Sequence, residues 1–226
     1  ILLGDLLLGW SDELLRRCGL GWERVGPALD VFDLCRTEVI AGQFLDVSVQ
    51  ARGLEDVSEA MTVLRYKSAK YSVERPLHLG AALAGGGPED LAAIGAFGLP
   101  LGEAFQLRDD LLGVFGDPAV TGKPAGDDLV EGKQTVLVAL ALDGLAAQGR
   151  GADRERLARS LGQPLDEARL DDLRSLIVTS GAQDQVESAI TGLVEHAEDA
   201  LDRAGLDPVA TTELRRLGAA ATSRSA

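Results

Sequence analysis

Leucine, alanine and valine recur at three- and four-residue spacing from the first residues of this chain, and that period predicts helix. Leu2 to Arg17 is periodic and closes on CGLG, a glycine stop. A long helix is predicted over roughly Trp22 to Gln50. RGLEDVSEA then turns the chain into a helix running to about Ser72, which Pro76 is expected to bend or break. LHLGAALAGGGPED resumes the helix and ends it at Gly85–Gly87, and Pro88 suits the first turn of the next. That helix ends near Phe115. Residues 116–132, GDPAVTGKPAGDDLVEG, hold four glycines and two prolines and read as a loop. The apolar run after Lys133 is helix to about Leu145. Four more amphipathic segments follow, split by QGRGAD, LGQP, TSGAQD and AGLDP, and the tail ATSRSA is expected to fray. No convincing hairpin, fixed-period repeat or linker interrupts the pattern. The expectation is an all-α chain forming one domain over residues 1–226.

Composition narrows this picture. The 226 residues are 46% apolar but only 4% aromatic, which suits packed helices better than a sandwich of sheets. A net charge of −14 excludes the basic footprint of a nucleic-acid surface, and an anion handled by such a chain needs locally gathered lysines or a metal. The longest apolar runs, such as VLVALAL, are too short to span a bilayer, so no stable membrane insertion is expected. No secretory signal opens the chain, and ILLGDLLLGW already reads as helix, so the expectation is a start inside a domain. Cys18 and Cys35 form no framework or zinc pattern, and read as two buried thiols in a reducing, cytoplasmic compartment.

The stretch AFQLRDDLLGVFGD carries candidate chemistry. Gln106 shares a helical face with Asp109 and Asp110. Two adjacent carboxylates in a semi-apolar helix repel each other, and protonation, a basic partner or a hard cation relieves this. Oxygen ligands alone favour Mg²⁺. The plainer alternative is a solvent-facing pair with Arg108 nearby. Lys123 and Lys133 lie on or beside the glycine-rich segment, where glycine lets backbone approach a ligand and lysine offers a charge to phosphate. The spacing is not that of a P-loop. Asp127 and Asp128, between the lysines, are placed to extend a metal's outer shell. In RYKSAKYS, Lys67 and Tyr71 share a face by i, i+4 spacing, with Ser68 beside them and Lys70 near Lys67; in AGQFLDV, Gln43 and Asp46 share one by i, i+3. Solvated helix lysines and an internal Gln–Asp pair are the plainer readings. His78 and His196 read as structural, and Asp171 and Asp172 as a solvated face.

In order and spacing, these four segments resemble the trans-isoprenyl diphosphate synthases. AFQLRDDLLGVFGDPAVTGKPAGDDLVEGKQT is similar to their second aspartate-rich region, RYKSAKYS to their Lys-Thr segment with Ser68 for threonine, and AGQFLDV to their Gln-and-Asp helix. ILLGDLLLGWSDELL is similar to the helix that follows their first aspartate-rich region. The resemblance implies an antiparallel helical bundle around a central cavity. It implies a Mg²⁺-dependent homodimer that ionises an allylic diphosphate and condenses it with isopentenyl diphosphate. Asp109 is then implied as the direct Mg²⁺ ligand, with Asp110 and Asp127 holding metal-bound waters. Lys67, Lys123 and Lys133 are implied to contact the allylic diphosphate. Gln43, Asp46, Ser68, Tyr71 and Gln106 would line the reacting centre, and Phe105 would pack near the isopentenyl chain. Two departures stand out. Gly113 replaces the third motif aspartate, although Asp117 lies seven residues after Asp110. No DDxxD precedes Gln43, so the first motif is expected upstream of Ile1. A non-catalytic subunit of a heteromeric synthase, or less readily a class I terpene cyclase, is the alternative. Residues 117–131 are expected to order only on an anion.

Overall fold

The computed structural model describes residues 1–53, 56–117, 122 and 126–222. Helices account for nearly all of them, and there is no strand among the described residues. They are α1 (Leu2–Arg16), α2 (Trp22–Arg52), α3 (Val57–Leu64), a π-wound segment (Arg65–Glu74), α4 (Arg75–Ala84) and α5 (Pro88–Phe115). After the glycine-rich segment come α6 (Asp127–Val130), α7 (Val136–Ala147), α8 (Gly151–Ser160), α9 (Glu167–Thr179), α10 (Ala182–Arg203) and α11 (Pro208–Thr222). None of the described helices is long and apolar enough to cross a membrane.

Local chemistry sets the boundaries. Asp56 caps α3 by accepting the Glu59 N–H at 2.8 Å, and Asp166 caps α9 by accepting that of Arg169 at 2.9 Å. Gly85 ends α4 at φ 92°, a left-handed turn open to glycine. Pro88 opens α5, where the Asp90 carboxylate accepts the Gly87 N–H at 2.8 Å.

The helix containing Pro76 differs from expectation. It runs through α3, the π segment and α4 with no break. Pro76 lies in the first turn of α4, just past the π winding, so its missing N–H falls where two hydrogen-bond patterns change over. The loop over 116–132 also holds a helical turn, α6. Cys18 is another correction. It is exposed rather than buried, because the turn after α1 touches little and α1 buries only Leu15. Cys35 is half-buried, and burial, with the Glu38 charge second, pushes its thiol up.

α5 is the axis of the bundle. It packs against α10, the π segment, α4, α6, α7 and α11, while α2 covers the π segment and α4 from the other side. The largest apolar cluster joins α5, α7, α9 and α10 through Leu107, Leu111, Leu137, Leu145, Leu173, Ile177, Val186 and Ile190. Two smaller clusters lie between α1, α2 and α4 around Ala28 and Leu29, and between α5 and α10 around Phe97 and Leu201.

Candidate active site

Two glycines set the geometry of the site. A Cβ at Gly42 on α2 would lie 2.5 Å from the Tyr66 carbonyl carbon and 2.7 Å from the Lys67 Cα. At Gly102 on α5 it would lie 2.5 Å from the Ala69 carbonyl oxygen. The π segment is thus gripped backbone to backbone on both sides, which only glycine permits. Short π stretches recur at functional sites, and this one carries Lys67 and Ser68.

Below this grip is a cavity of about 240 Å³. Its polar wall is Asp46, Lys67, Ser68, Gln106, Asp109, Asp110, Asp128, Lys133, Gln134 and Thr135, and its apolar wall is Ala60, Val63, Leu64 and Val136. Each residue comes from an element that fixes it. Gln106 Nε2 donates to Asp110 Oδ1 at 2.8 Å, one helical turn along α5. Lys67 Nζ donates to Asp46 Oδ2 at 2.6 Å, joining the π segment to α2. Lys133 Nζ donates to Asp128 Oδ1 at 2.5 Å and lies 3.0 Å from Glu131 Oε2. Thr135 caps α7 by accepting the Val138 N–H at 3.3 Å.

The electrostatics are strained. Asp110 is buried, and its carboxyl is pushed up to about 7. Burial is the largest cause. The Gln106 hydrogen bond opposes it, the Asp128 and Asp109 charges add to it, and Lys133 offsets part. Burial alone would lower Lys133, yet the hydrogen bond and charge of Asp128, with Glu131, hold it above the usual lysine range. Arg108, named beside the acids in the plainer reading of a solvent-facing pair, is committed elsewhere. Its guanidinium donates to Glu187 on α10 at 2.6 and 2.7 Å and to the Thr222 carbonyl at 3.2 Å.

Seven of the expected site residues line one cavity: Asp46, Lys67, Ser68, Gln106, Asp109, Asp110 and Lys133. Four others do not. Tyr71 is 54% exposed, because the π winding bonds i to i+5 and i+4 spacing no longer stacks it on Lys67. Lys70 instead donates to Glu38 Oε1 at 2.6 Å. Gln43 is exposed, and its Nε2 donates to Asp46 Oδ2 at 3.4 Å, so the Gln–Asp pair forms, but with Gln43 at the surface and off the cavity wall. Phe105 and Asp127 lie off the cavity wall. Lys123 and residues 118–121, 124 and 125 of the stretch expected to order on an anion fall outside the described residues, whereas 126–131, with α6, lie within them. The cavity also includes Asp128, Gln134 and Thr135. Asp128 was legible as an acid between two lysines, but the resemblance implied Asp127 as the inward residue, and the structure brings Asp128 to the cavity instead. His78 is buried with Arg75 against its Nδ1 at 2.9 Å, and His196, Asp171 and Asp172 are exposed.

The donor set suits a hard cation, since Asp109, Asp110 and Asp128 offer only oxygens. No three His, Cys, Asp or Glu side chains form a ready metal cage among the described residues. That is compatible with Mg²⁺, which takes one or two carboxylates and fills its remaining positions with water and phosphate oxygens. Burial first, with the Asp128 and Asp109 charges behind it, raises Asp110, and a cation bound there would favour its ionised form.

Comparison with known proteins agrees with this geometry. The polyprenyl synthetase family model matches residues 1–177. The chain is 34% identical over 220 residues to a geranylfarnesyl diphosphate synthase of Aeropyrum pernix, covering 96% of this chain and 67% of that protein. It is 30% identical to a (2E,6E)-farnesyl diphosphate synthase of Mycobacterium bovis, covering 96% of this chain and 60% of that one. It superposes on a geranylgeranyl pyrophosphate synthase from Corynebacterium glutamicum, crystallised with isoprenyl diphosphate and magnesium, with TM-score 0.95 and 41% identity, covering 100% of this chain and 63% of that one. The chain thus spans between 60% and 67% of the length of these relatives. The fold is that of the isoprenyl diphosphate synthases, and the chain belongs to the polyprenyl synthetase family.

Proposed function

We propose that the protein is a prenyltransferase that condenses isopentenyl diphosphate with an allylic diphosphate after Mg²⁺-assisted ionisation. One observation carries the reading: Asp109, Asp110 and Asp128 converge with Lys67, Lys133 and Gln106 on a single cavity that has an apolar wall. Mg²⁺, when bound, neutralises charge as a diphosphate departs. Asp109 and Asp110 would hold it from α5. Lys67 and Lys133, each already bound to a carboxylate, would exchange that partner for phosphate oxygens. Ala60, Val63, Leu64 and Val136 exclude water from the reacting carbon.

The reading extends to a cytoplasmic homodimer, with residues 1–226 belonging to one helical domain. Exposed Leu34, Ile40, Phe44 and Val47 along α2 support a partner surface, and light scattering that returned a monomer mass would remove it. The chemistry is tested by incubating the protein with Mg²⁺, labelled isopentenyl diphosphate and geranyl, farnesyl or geranylgeranyl diphosphate. Chain-extended product that vanishes with EDTA is expected. Binding of the diphosphates without turnover would favour a non-catalytic subunit instead.

A further inference from the structure

Three successive turns of α2 face the π segment with Glu38, Gly42 and Asp46, whose four-residue spacing puts them on one stripe. Each meets that segment differently. Asp46 accepts Lys67 Nζ, and Gly42 lets the two backbones touch at Tyr66 and Lys67. Glu38 takes three donors on its two oxygens. Lys70 Nζ at 2.6 Å and Arg75 Nη2 at 2.9 Å share Oε1, and Arg75 Nε meets Oε2 at 2.6 Å. The side chains of Glu38, Lys70 and Arg75 are 12%, 13% and 11% exposed, against 30% for Lys67. Exposed ion pairs contribute little, whereas breaking a buried one leaves a charge uncompensated.

The two carboxylates of α2 respond differently to a ligand. Asp46 lines the cavity, and its hold on the π segment is lost once Lys67 turns to phosphate. Glu38 lies off the cavity wall, so its hold remains. Among the described residues no other carboxylate of α2 bonds to Lys70 or Arg75. Glu74 Oε2 lies 3.6 Å from Lys70 Nζ and 3.7 Å from Arg75 Nη2, but Glu74 is the last residue of the π segment itself. It neutralises those cations without tying them to α2. Arg65 pairs with Glu103 of α5 at 2.6 Å, at the opposite end of the segment.

We propose that Glu38 is a positioning residue of the site: it holds the C-terminal end of the π segment on α2 and so keeps Lys67 aimed into the cavity when Lys67 leaves Asp46. The inference rests on reading the cavity as a diphosphate site, and it extends that site to a carboxylate that touches no ligand.

The test is lysine footprinting. Acetylation rates of Lys67 and Lys133 are read by mass spectrometry, with Mg²⁺ and with or without inorganic pyrophosphate, in the parent, Glu38→Gln and Lys70→Met. Glutamine keeps the shape and removes the charge. Lys70→Met removes one donor, leaves the Arg75 pair, and serves where Glu38→Gln does not fold. In the parent, pyrophosphate should protect both lysines. In the variants Lys133 should stay protected, while the protection of Lys67 should fall roughly fivefold, within the range for residues coupled through a shared backbone shift. Arg108→Ala, which breaks an ion pair between α5 and α10 away from the cavity, should leave both protected. Parent-like protection of Lys67 in the variants would overturn the inference. So would equal loss at both lysines, which is the signature of a contact that only stabilises the fold. A parent in which pyrophosphate protects neither lysine would overturn the cavity reading instead. Amide hydrogen exchange without ligand then decides whether Glu38 holds the segment: faster exchange over residues 65–74 in Glu38→Gln is expected, and unchanged exchange there would overturn the hold as well.

Discussion

Replacing Asp110 with asparagine should make the metal-free protein more stable and less able to bind its anion. The Asp110 carboxyl is buried and pushed from 3.8 up to about 7. In the unfolded chain it ionises near its ordinary value. Below about pH 4 it is protonated in both states and costs nothing. As the pH rises toward 7 the unfolded chain gives up this proton while the folded chain retains it, so stability falls through that window and levels off above it. A shift of about three units at about 1.4 kcal/mol each puts the ceiling near 4 kcal/mol. Asparagine has the same shape, no charge, and an oxygen for the Gln106 amide.

The assay is thermal melting in EDTA from pH 4 to 8.5, repeated at pH 8 with Mg²⁺ and pyrophosphate. Asp110→Asn should exceed the parent at pH 8 by several degrees, at about 2–4 °C per kcal/mol for a chain of this size. The gap should close toward pH 4. With Mg²⁺ and pyrophosphate the parent should gain more than the variant, since binding stabilises only what binds. An Asp110→Asn protein no more stable than the parent at pH 8 in EDTA would refute the claim that this carboxylate is electrostatically strained.

Other outcomes follow from the same geometry. Gly102→Ala places a methyl against the Ala69 carbonyl and should cost about 1–3 kcal/mol; it should lower kcat more than it raises KM, and an unchanged kcat would show that the π segment needs no grip from α5. Lys133→Met takes the ammonium away from buried Asp128; because Lys133 is itself about one-third exposed, about 1–3 kcal/mol should be lost in denaturant melts, below the full cost of breaking a buried pair. Stability equal to the parent would mean that another cation holds Asp128. Arg108→Ala removes the pair with Glu187 and the bond to the Thr222 carbonyl. It should lower stability by about 1 kcal/mol and leave turnover unchanged, and a large kcat loss would return Arg108 to the site.

The helical period made most of the fold legible, because α2, α5 and α10 each bury a stripe and end at glycine, proline or a polar cap. The site was legible where spacing along one regular helix decides which side chains meet, as for Gln106 and Asp110. It failed where winding or tertiary approach decides. Tyr71 was lost because RYKSAKYS winds as a π segment, packed against Gly42 and Gly102, and nothing in its spacing signals that winding. The resemblance pointed to Asp127, whereas Asp128 lines the cavity, because α6 is a single turn whose rotation is set with Leu129 in the core. Cys18 looked apolar enough to bury, but only packing shows that its turn has nothing to bury against.

Tyr71 and Asp127 were misplaced where packing between elements decides orientation: the π segment lies backbone to backbone against Gly42 and Gly102, and α6 is a single turn carrying buried Leu129. Lys67 and Ser68 nevertheless reach the cavity from that same π segment, and Gln43 and Phe105 miss it from regular helices. The regular helix α5 holds Asp109 and Asp110 on a segment that its leucines anchor in the core, and that burial raises the Asp110 carboxyl. The lysines stand on the other elements, Lys67 on the π segment and Lys133 just after α6, each bound to a carboxylate that a metal-bound diphosphate would displace. A diphosphate held equally tightly before and after ionisation would accelerate nothing. Loosening Lys67 by filling Gly42 should therefore reduce kcat while the pyrophosphate affinity of Asp109 and Asp110 survives, and the loss of both together would mean that the two halves of the site are one rigid unit.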